Sequence, residues 1–264
     1  MKKLNEMKSI WTGTIGFGLV NIPVKMFSAT QNSELDLDML DKKDLANIHF
    51  KRVNERTGKE VSWENIVKGY KYNDRYVILG PKDFEMANAK KTKVIEISTF
   101  VKEAEIDTIY YETPYYLEPE KSGVRAYALL REALFKTGKV GIASFVMRNK
   151  ESLAILRPVG KAILLNRIRF QEEIRDATDL HLPAQSDIKP GELQMAVTLV
   201  NQLSSKFNIG AYKDTYTSEL LKRIKIKAKG LKVKEPALQV IHNKKKDLME
   251  QLKASLSVKR KKAS

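Results

Sequence analysis

Ser9–Thr30 reads SIWTGTIGFGLVNIPVKMFSAT, and its side chains alternate. Trp11, Ile15, Phe17 and Leu19 fall on odd positions, while Thr12, Thr14, Gly16 and Gly18 fall on even ones. This pattern predicts a strand with one bulky face and one nearly bare face. Glycine on the bare face lets something approach the backbone closely. Asn21 and Pro23 then bend the chain, and Pro23 cannot donate to a central ladder. Beyond the bend Val24 and Met26 point one way, Lys25 and Phe27 the other. The expectation is one long bent strand that changes sides, the way barrels and crossed sheets turn a corner. An ordinary core strand is the plainer alternative, and the glycines argue against it. A secretory signal would share the apolar character and the preceding Lys2, Lys3 and Lys8. Its apolar run would not be diluted by Thr, Gly and Asn, so a mature strand is expected.

Working outward, 264 residues suffice for one large domain with a smaller one, and 42% hydrophobic content fits a globular chain. No apolar run approaches a membrane span. There is no cysteine, which excludes disulfides and thiolate metal sites. His49, His181 and His242 stand far apart, with no ligand spacing, so neither a metal nor a cofactor is expected. The setting expected is cytoplasmic. Net charge is the strongest global signal, at +16. Such an excess points to a polyanion, most often nucleic acid. It is uneven: +12 of the +16 lies from Lys222 onward. A nearly balanced body carries a basic appendage.

Along the body, His49–Val61 (HFKRVNERTGKEV) predicts two short extended pieces around a polar turn at Asn54–Gly58. Lys51, Arg52, Arg56 and Lys59 surround that turn. So cationic a hairpin cannot support itself and lies either in solvent or across a polyanion. Trp63, Val67 and Tyr70 suggest a short helix, followed by a strand at Arg75–Leu79 and a helical turn after Gly80-Pro81. Val94–Phe100 alternates as another strand. Tyr110, Tyr111, Tyr115, Tyr116 and Tyr127 form the densest aromatic cluster, expected to pack a core rather than stack on bases. Ser122 is placed to cap the helix GVRAYALLREALFKTG, and Gly138 to end it. Val140–Ile168 predicts a three-stranded antiparallel meander. Arg148 and Lys150 are expected on its first turn, where a cation is idle or reaches for a phosphate.

Pro190 is suited to the first turn of a helix with Leu193, Val197, Val200, Leu203 and Phe207 on one face. A second helix, Asp214–Lys229, bears Leu220, Leu221 and Ile224, with Lys222, Lys225 and Lys229 on its other side. The pattern alone suits an internal helix pair or an intersubunit one equally. Past Gly230 the sequence predicts a linker, a short helix within Ala237–Leu256, and two runs of cations. Polyanion binding explains both runs, against the alternative of a disordered solubilising tail.

Enzyme signatures are lacking. No nucleophile sits beside a base, and Gly13, Gly16 and Gly18 are wrongly spaced for a dinucleotide loop. Glu172, Glu173, Asp176 and Asp179 are the carboxylates suited to Mg²⁺ in a nuclease, but EEIRDATD reads equally as a solvated turn and no second acidic cluster complements it.

Several long stretches, in this order, resemble the bacterial Ku family: IWTGTIGFGLVNIPVKMFSAT, IHFKRV, PYYLEP with RAYALLREAL, FVMRNKESLAILRP and RFQEEIRD, then ELQMAVTLVNQL and YKDTY. Together they span about residues 7–230. The resemblance implies an α+β fold: a Ku-type antiparallel β-barrel core with an inserted bridge hairpin and C-terminal helices, plus a flexible basic tail. The divisions expected are residues 1–8, a flexible N-terminus; 9–230, the core; and 231–264, the Lys-rich tail. It further implies a homodimeric ring on double-stranded DNA ends, at the nucleoid, that recruits an ATP-dependent end-joining ligase. The rival function is a general DNA-coating protein of the nucleoid. Candidate DNA contacts are Lys25, Lys51, Arg52, Arg56, Lys59, Arg148, Lys150, Lys222, Arg223 and Lys225. The tail adds Lys244, Lys245, Lys246, Lys259, Arg260, Lys261 and Lys262. Candidate dimerisation residues are Leu193, Val197, Val200 and Leu203. Arg125 stands where the family often has Lys, and the 52–58 turn lacks the cysteines of some members, so no metal is sought there.

Overall fold

The bend expected at Asn21–Pro23 is instead a tight turn, and it comes earlier. In the computed structural model, which describes residues 7–87, 93–148, 150–183, 188–231 and 248–257, Trp11–Phe17 forms β1 and Val20–Ser28 forms β2. They pair antiparallel from Phe17↔Val20 to Trp11↔Met26. Gly18 and Leu19 are left as a two-residue loop, with Gly18 at φ +58° in the first loop position. Two-residue hairpin turns favour glycine there. Leu19 is therefore fully exposed at the tip and leaves the bulky face. The alternation itself holds, with Ile15 buried and Trp11 and Phe17 packed against the core. The glycines admit the chain's own atoms. A Cβ on Gly13 would lie 2.1 Å from the Lys93 carbonyl oxygen and 2.3 Å from the Trp11 ring; one on Gly16 would lie 2.8 Å from a Glu96 carboxylate oxygen.

The remaining strands are β3 (Lys68–Tyr72), β4 (Arg75–Leu79), β5 (Val94–Lys102), β6 (Tyr111–Pro119), β7 (Lys139–Met147), β8 (Lys150–Val159) and β9 (Ala162–Ile168). Seven strands close a barrel in the order β1-β2-β6-β9-β8-β7-β5. Neighbours are antiparallel except β5 and β1, which run parallel from Thr14↔Val94 to Gly16↔Glu96. Closure leaves no unpaired sheet edge. The meander is present as β7-β8-β9. Its first turn is tighter than expected: Met147 pairs with Lys150, so Lys150 opens β8 instead of sitting on the turn.

Alternate residues of every barrel strand point inward. Ile15, Ile22, Val24, Met26, Leu117, Leu156 and Leu165 are among the most deeply buried. Helix α2 (Val124–Thr137, numbered after α1 at Pro81–Ala87) adds Tyr127, Leu130 and Leu134 to the same core. It follows β6 and precedes β7, so it stoppers the end of the barrel at which β7 begins. Tyr127 fixes it there. Its buried hydroxyl donates to the Leu117 carbonyl (2.6 Å) and accepts from the Ile163 N–H (2.6 Å). Burial also raises the Tyr127 pKa, which keeps the hydroxyl a donor. Tyr115 is buried too, as expected for a core aromatic, whereas Tyr116 is partly exposed. Ser122 does not cap α2. Gly123 holds the cap position without a side-chain bond, because Lys121–Gly123 forms a turn of 3-10 helix ahead of it. Gly138 ends the helix at φ +62°, as expected.

Between β2 and β5 the chain leaves the barrel. Two tight turns of the same design follow, bridged only at Leu40↔Asn47 and Val53↔Glu60, so the 49–61 segment is less regular than a hairpin. In each, one residue both donates to and accepts from the far side: Asp41 to Ala46 and from Leu45, Asn54 to Lys59 and from Gly58. Trp63, Val67 and Tyr70 do not share a helix. A 3-10 turn covers Trp63–Asn65, and Tyr70 lies in β3. β3 and β4 form a separate two-stranded sheet, joined through Asn73 (φ 44°) and Asp74 (φ 61°). Positive φ at both central positions is the I′ hairpin turn. Tyr70, Tyr72, Tyr76, Val77 and Ile78 are exposed along it.

The chain divides into two units, Met1–Asn32 with Asp36–Arg175, and Ser33–Leu35 with Asp176–Ser264. The second holds α3 (Pro190–Leu203), α4 (Thr215–Ala228) and α5 (Leu248–Ser257). Phe207 lies beyond the end of α3 and is exposed, since the helix stops at Leu203. Asp214 caps α4 by accepting from the Thr217 N–H. α5 lies against α3, with Met249 reaching Gly191. Met195, Ala196 and Leu199 of α3 and Met249, Leu252 and Leu256 of α5 are half-buried.

Candidate nucleic-acid interface

Four of the expected cations share one turn. The Asn54 side chain accepts from the Arg56 and Thr57 N–H groups and holds the turn closed, and Gly58 completes it at φ +65°. Lys51 is tied to Glu60 at 2.7 Å, and the Arg52 guanidinium lies 4.6 Å from the centre of the Trp63 ring. Arg56 and Lys59 project from the turn into solvent. The arrangement presents cations on a backbone fixed by its own side chains, without a hydrophobic core beneath.

Lys25 stands elsewhere, on the outer wall of the barrel, because Val24 and Met26 take the inward positions of β2. It lines a cleft of about 600 Å³ with Glu118 and Lys121. Arg148 has φ +53° in the β7–β8 turn, and Lys150 follows at the start of β8. Lys150 lies 3.6 Å from a Glu173 carboxylate oxygen. Glu173 also accepts from the Phe170 N–H at 2.8 Å, and that bond, followed by Lys150, holds its carboxyl below the usual range. Glu173 is thus engaged in local structure. Among the described residues, no three His, Cys, Asp or Glu side chains are grouped to hold a metal ion.

Lys222, Arg223 and Lys225 lie along α4, in the second unit; Lys222 pairs with Glu219 at 2.6 Å. Leu193, Val197, Val200 and Leu203 fall along α3 and remain 44–64% exposed, on the side not half-buried against α5. Lys244, Lys245, Lys246, Lys259, Arg260, Lys261, Lys262 and Asn149 lie outside the described residues.

A family model described as the Ku70/Ku80 beta-barrel domain matches residues 16–195. The chain belongs to the Ku family. The match runs from β1 through the meander and into α3, so the closed barrel and the excursion between β2 and β5 are both part of the Ku domain. Three curated relatives carry the name Non-homologous end joining protein Ku. That of Coxiella burnetii is 40% identical over 264 residues, covering 96% of each chain. That of Archaeoglobus fulgidus is 39% identical over 256 residues, covering 95% of this chain and 98% of its own. That of Bacillus subtilis is 41% identical over 222 residues, covering 83% of this chain and 71% of its own. Among solved structures, the SPOC domain of human PHD-finger protein 3 aligns at a TM-score of 0.31 and 11% identity, over 61% of this chain and 95% of that one.

The Ku barrel also carries a cation that sequence reading passed over. Arg167 lies on the face of β9 shared with Ile163 and Leu165, which point into the core. A charge at a core-facing position of an alternating strand was the available signal. Arg167 pairs with Glu112 at 3.1 Å, and Glu112 also meets Arg169 at 3.5 Å. Among the described residues no helix is long and apolar enough to cross a membrane.

Proposed function

We propose that this chain binds the ends of double-stranded DNA without regard to sequence, as a ring-shaped homodimer acting in non-homologous end joining. The observation that carries the proposal is the excursion between β2 and β5. A two-stranded hairpin is marginal in water unless something packs on it. Here β3–β4 exposes three tyrosines, Val77 and Ile78, and it follows directly on the cationic turn at 51–59. An arm that is apolar at one point and cationic at another suits a partner copy on one side and a polyanion on the other. The exposed row Leu193, Val197, Val200 and Leu203 on α3 supports a second apolar contact between copies. Each backbone phosphate neutralised releases counterions, and such contacts position the duplex without reading bases. That suits a protein that must accept any broken end. The end-joining names of the relatives support the same role. Recruitment of an ATP-dependent ligase is part of the proposal. The role proposed is a scaffold rather than an enzyme, acting in the cytoplasm at the nucleoid.

Binding to linear and covalently closed DNA of one sequence, with Mg²⁺ present, is the test. Capture of linear DNA, followed by salt-resistant trapping once the ends are joined, is the expected outcome. Equal binding to both forms would favour a general DNA-coating protein, and cleavage would favour a nuclease.

A further inference from the structure

The barrel has two ends, and only one is stoppered by α2. The other end, where β7 finishes and β8 begins, opens into a cavity of about 340 Å³. Arg148, Lys150 and Arg167 line it, with Ser152, Tyr115 and two apolar side chains. Lys150 and Ser152 share a face of β8 by alternation. Arg167 sits opposite Ala154, the next residue on that face. Among the described residues no carboxylate lines the cavity; Glu173 and Glu112 hold Lys150 and Arg167 from outside it.

One polar group is left unused. Ser152 is 5% exposed and lines the cavity. The Arg167 Nε–H is buried and unpaired among the described residues, although the far end of the guanidinium reaches Glu112. Burying an unpaired donor is costly, and native structures keep few such groups. A barrel closing here for packing alone would place an aliphatic residue at either position. Guanidinium, ammonium and hydroxyl groups converging on a concave site are the donor set that holds a tetrahedral oxyanion. The mouths of barrels are a recurrent place for ligand sites.

We infer that the open end of the barrel is a binding site for a phosphate group, with Arg167 and Ser152 as its floor and Arg148 and Lys150 as its rim. The inference shares Arg148 and Lys150 with the DNA proposal but does not rest on it, because a free phosphate group offers the same oxygens as a backbone phosphodiester.

The test uses the full chain and two titrations followed by NMR, reading the Ser152 amide and the Arg167 Nε–H. Sodium phosphate is compared with sodium chloride at equal ionic strength. Saturable shifts with phosphate alone are expected. Arg167→Gln should weaken phosphate binding by about tenfold or more, the loss of one charge-assisted hydrogen bond. Ser152→Val keeps all three cations but replaces the hydroxyl on the floor with a branched apolar side chain, and it should abolish saturation. Equal shifts with both salts, or saturation that survives Ser152→Val, would overturn the site and leave only a diffuse cationic surface. A short linear duplex forms the second titration. Shifts at Arg167 that phosphate reverses beyond the effect of ionic strength assign the site to a backbone phosphate. Phosphate binding that the duplex leaves untouched assigns it to a free phosphate group. A duplex that does not bind at all, beside saturable phosphate, would refute the DNA proposal and uphold the site.

Discussion

Tyr127 and Gly13 show how much can rest on one atom. Replacing Tyr127 with Phe leaves the Leu117 carbonyl and the Ile163 N–H unpaired inside the core. The expected cost is about 1–3 kcal/mol, read as a lower urea midpoint with an unchanged slope. The same hydroxyl gives the fold an alkaline limit. Its pKa is raised above the ordinary 10.0 by burial, so the unfolded chain loses this proton first. Its contribution is complete below the ordinary tyrosine value and falls as pH rises above it. Tyr127→Phe should flatten stability against pH in that range, and an unchanged profile would refute the assignment. At Gly13, alanine would drive its Cβ into the Lys93 carbonyl and the Trp11 ring. Overpacking of this kind costs about 1–3 kcal/mol and should appear as a lower Tm. Among the cations, Arg148→Glu with Lys150→Glu should reduce loading onto duplex ends in a gel-shift assay while the thermal transition holds. Wild-type loading by that pair would remove the turn from the proposed interface.

Helix α3 carries apolar side chains around more of its circumference than one partner covers. Met195, Ala196 and Leu199 are half-buried, whereas Leu193, Val197, Val200 and Leu203 stay exposed. Charging the exposed row with Leu193→Asp and Val200→Asp should turn the proposed dimer into a folded monomer by analytical ultracentrifugation. A dimer that persists would move the interface elsewhere. α5 lies inside the stretch expected as tail, so two truncations should differ. Ending the chain after Ser257 should preserve amide protection along α3, whereas ending it after Gly230 should lower it. At the start of α4, the Thr217 side chain and N–H hold the Asp214 carboxyl below its usual range. A carboxylate depressed in this way stabilises above its unfolded pKa and stops doing so as pH falls through its folded value. Fraying of the first turn of α4 in acid, seen in the Thr217 amide, is the expected result.

For the molecule as a whole, charge and topology make separable predictions. If phosphates dominate binding, affinity should fall with salt at a slope of about −0.9 per phosphate contacted. Scrambled duplexes of equal length should compete equally, and a strong preference for one sequence would contradict phosphate-led binding. A closed ring adds what charge cannot impose, a free end for loading and trapping after circularisation. An open cleft would release DNA at high salt whatever its topology.

The sequence alone determined the local order of this fold. Period-two alternation placed β1 and the β7–β9 meander, Gly138 ended α2, and Asp214 and Gly230 bracketed α4, because strand faces and helix ends are set by neighbours a few residues away. The long family-like stretches made the barrel legible as well. Only the tertiary structure decided what depends on partners distant in the chain. The Ser9–Thr30 stretch folds back on itself at Gly18, since β1 finds its second neighbour in β5, about eighty residues on. Asn73 and Asp74 close a hairpin where apolar spacing had suggested a helix, because the I′ turn outweighs a pattern of three residues. In ILLNRI, Arg167 is marked only as a charge in an alternating strand, without partners. It acquires neighbours only when barrel closure brings β9, β6 and the β7–β8 turn to one mouth, and no spacing along the chain encodes that meeting.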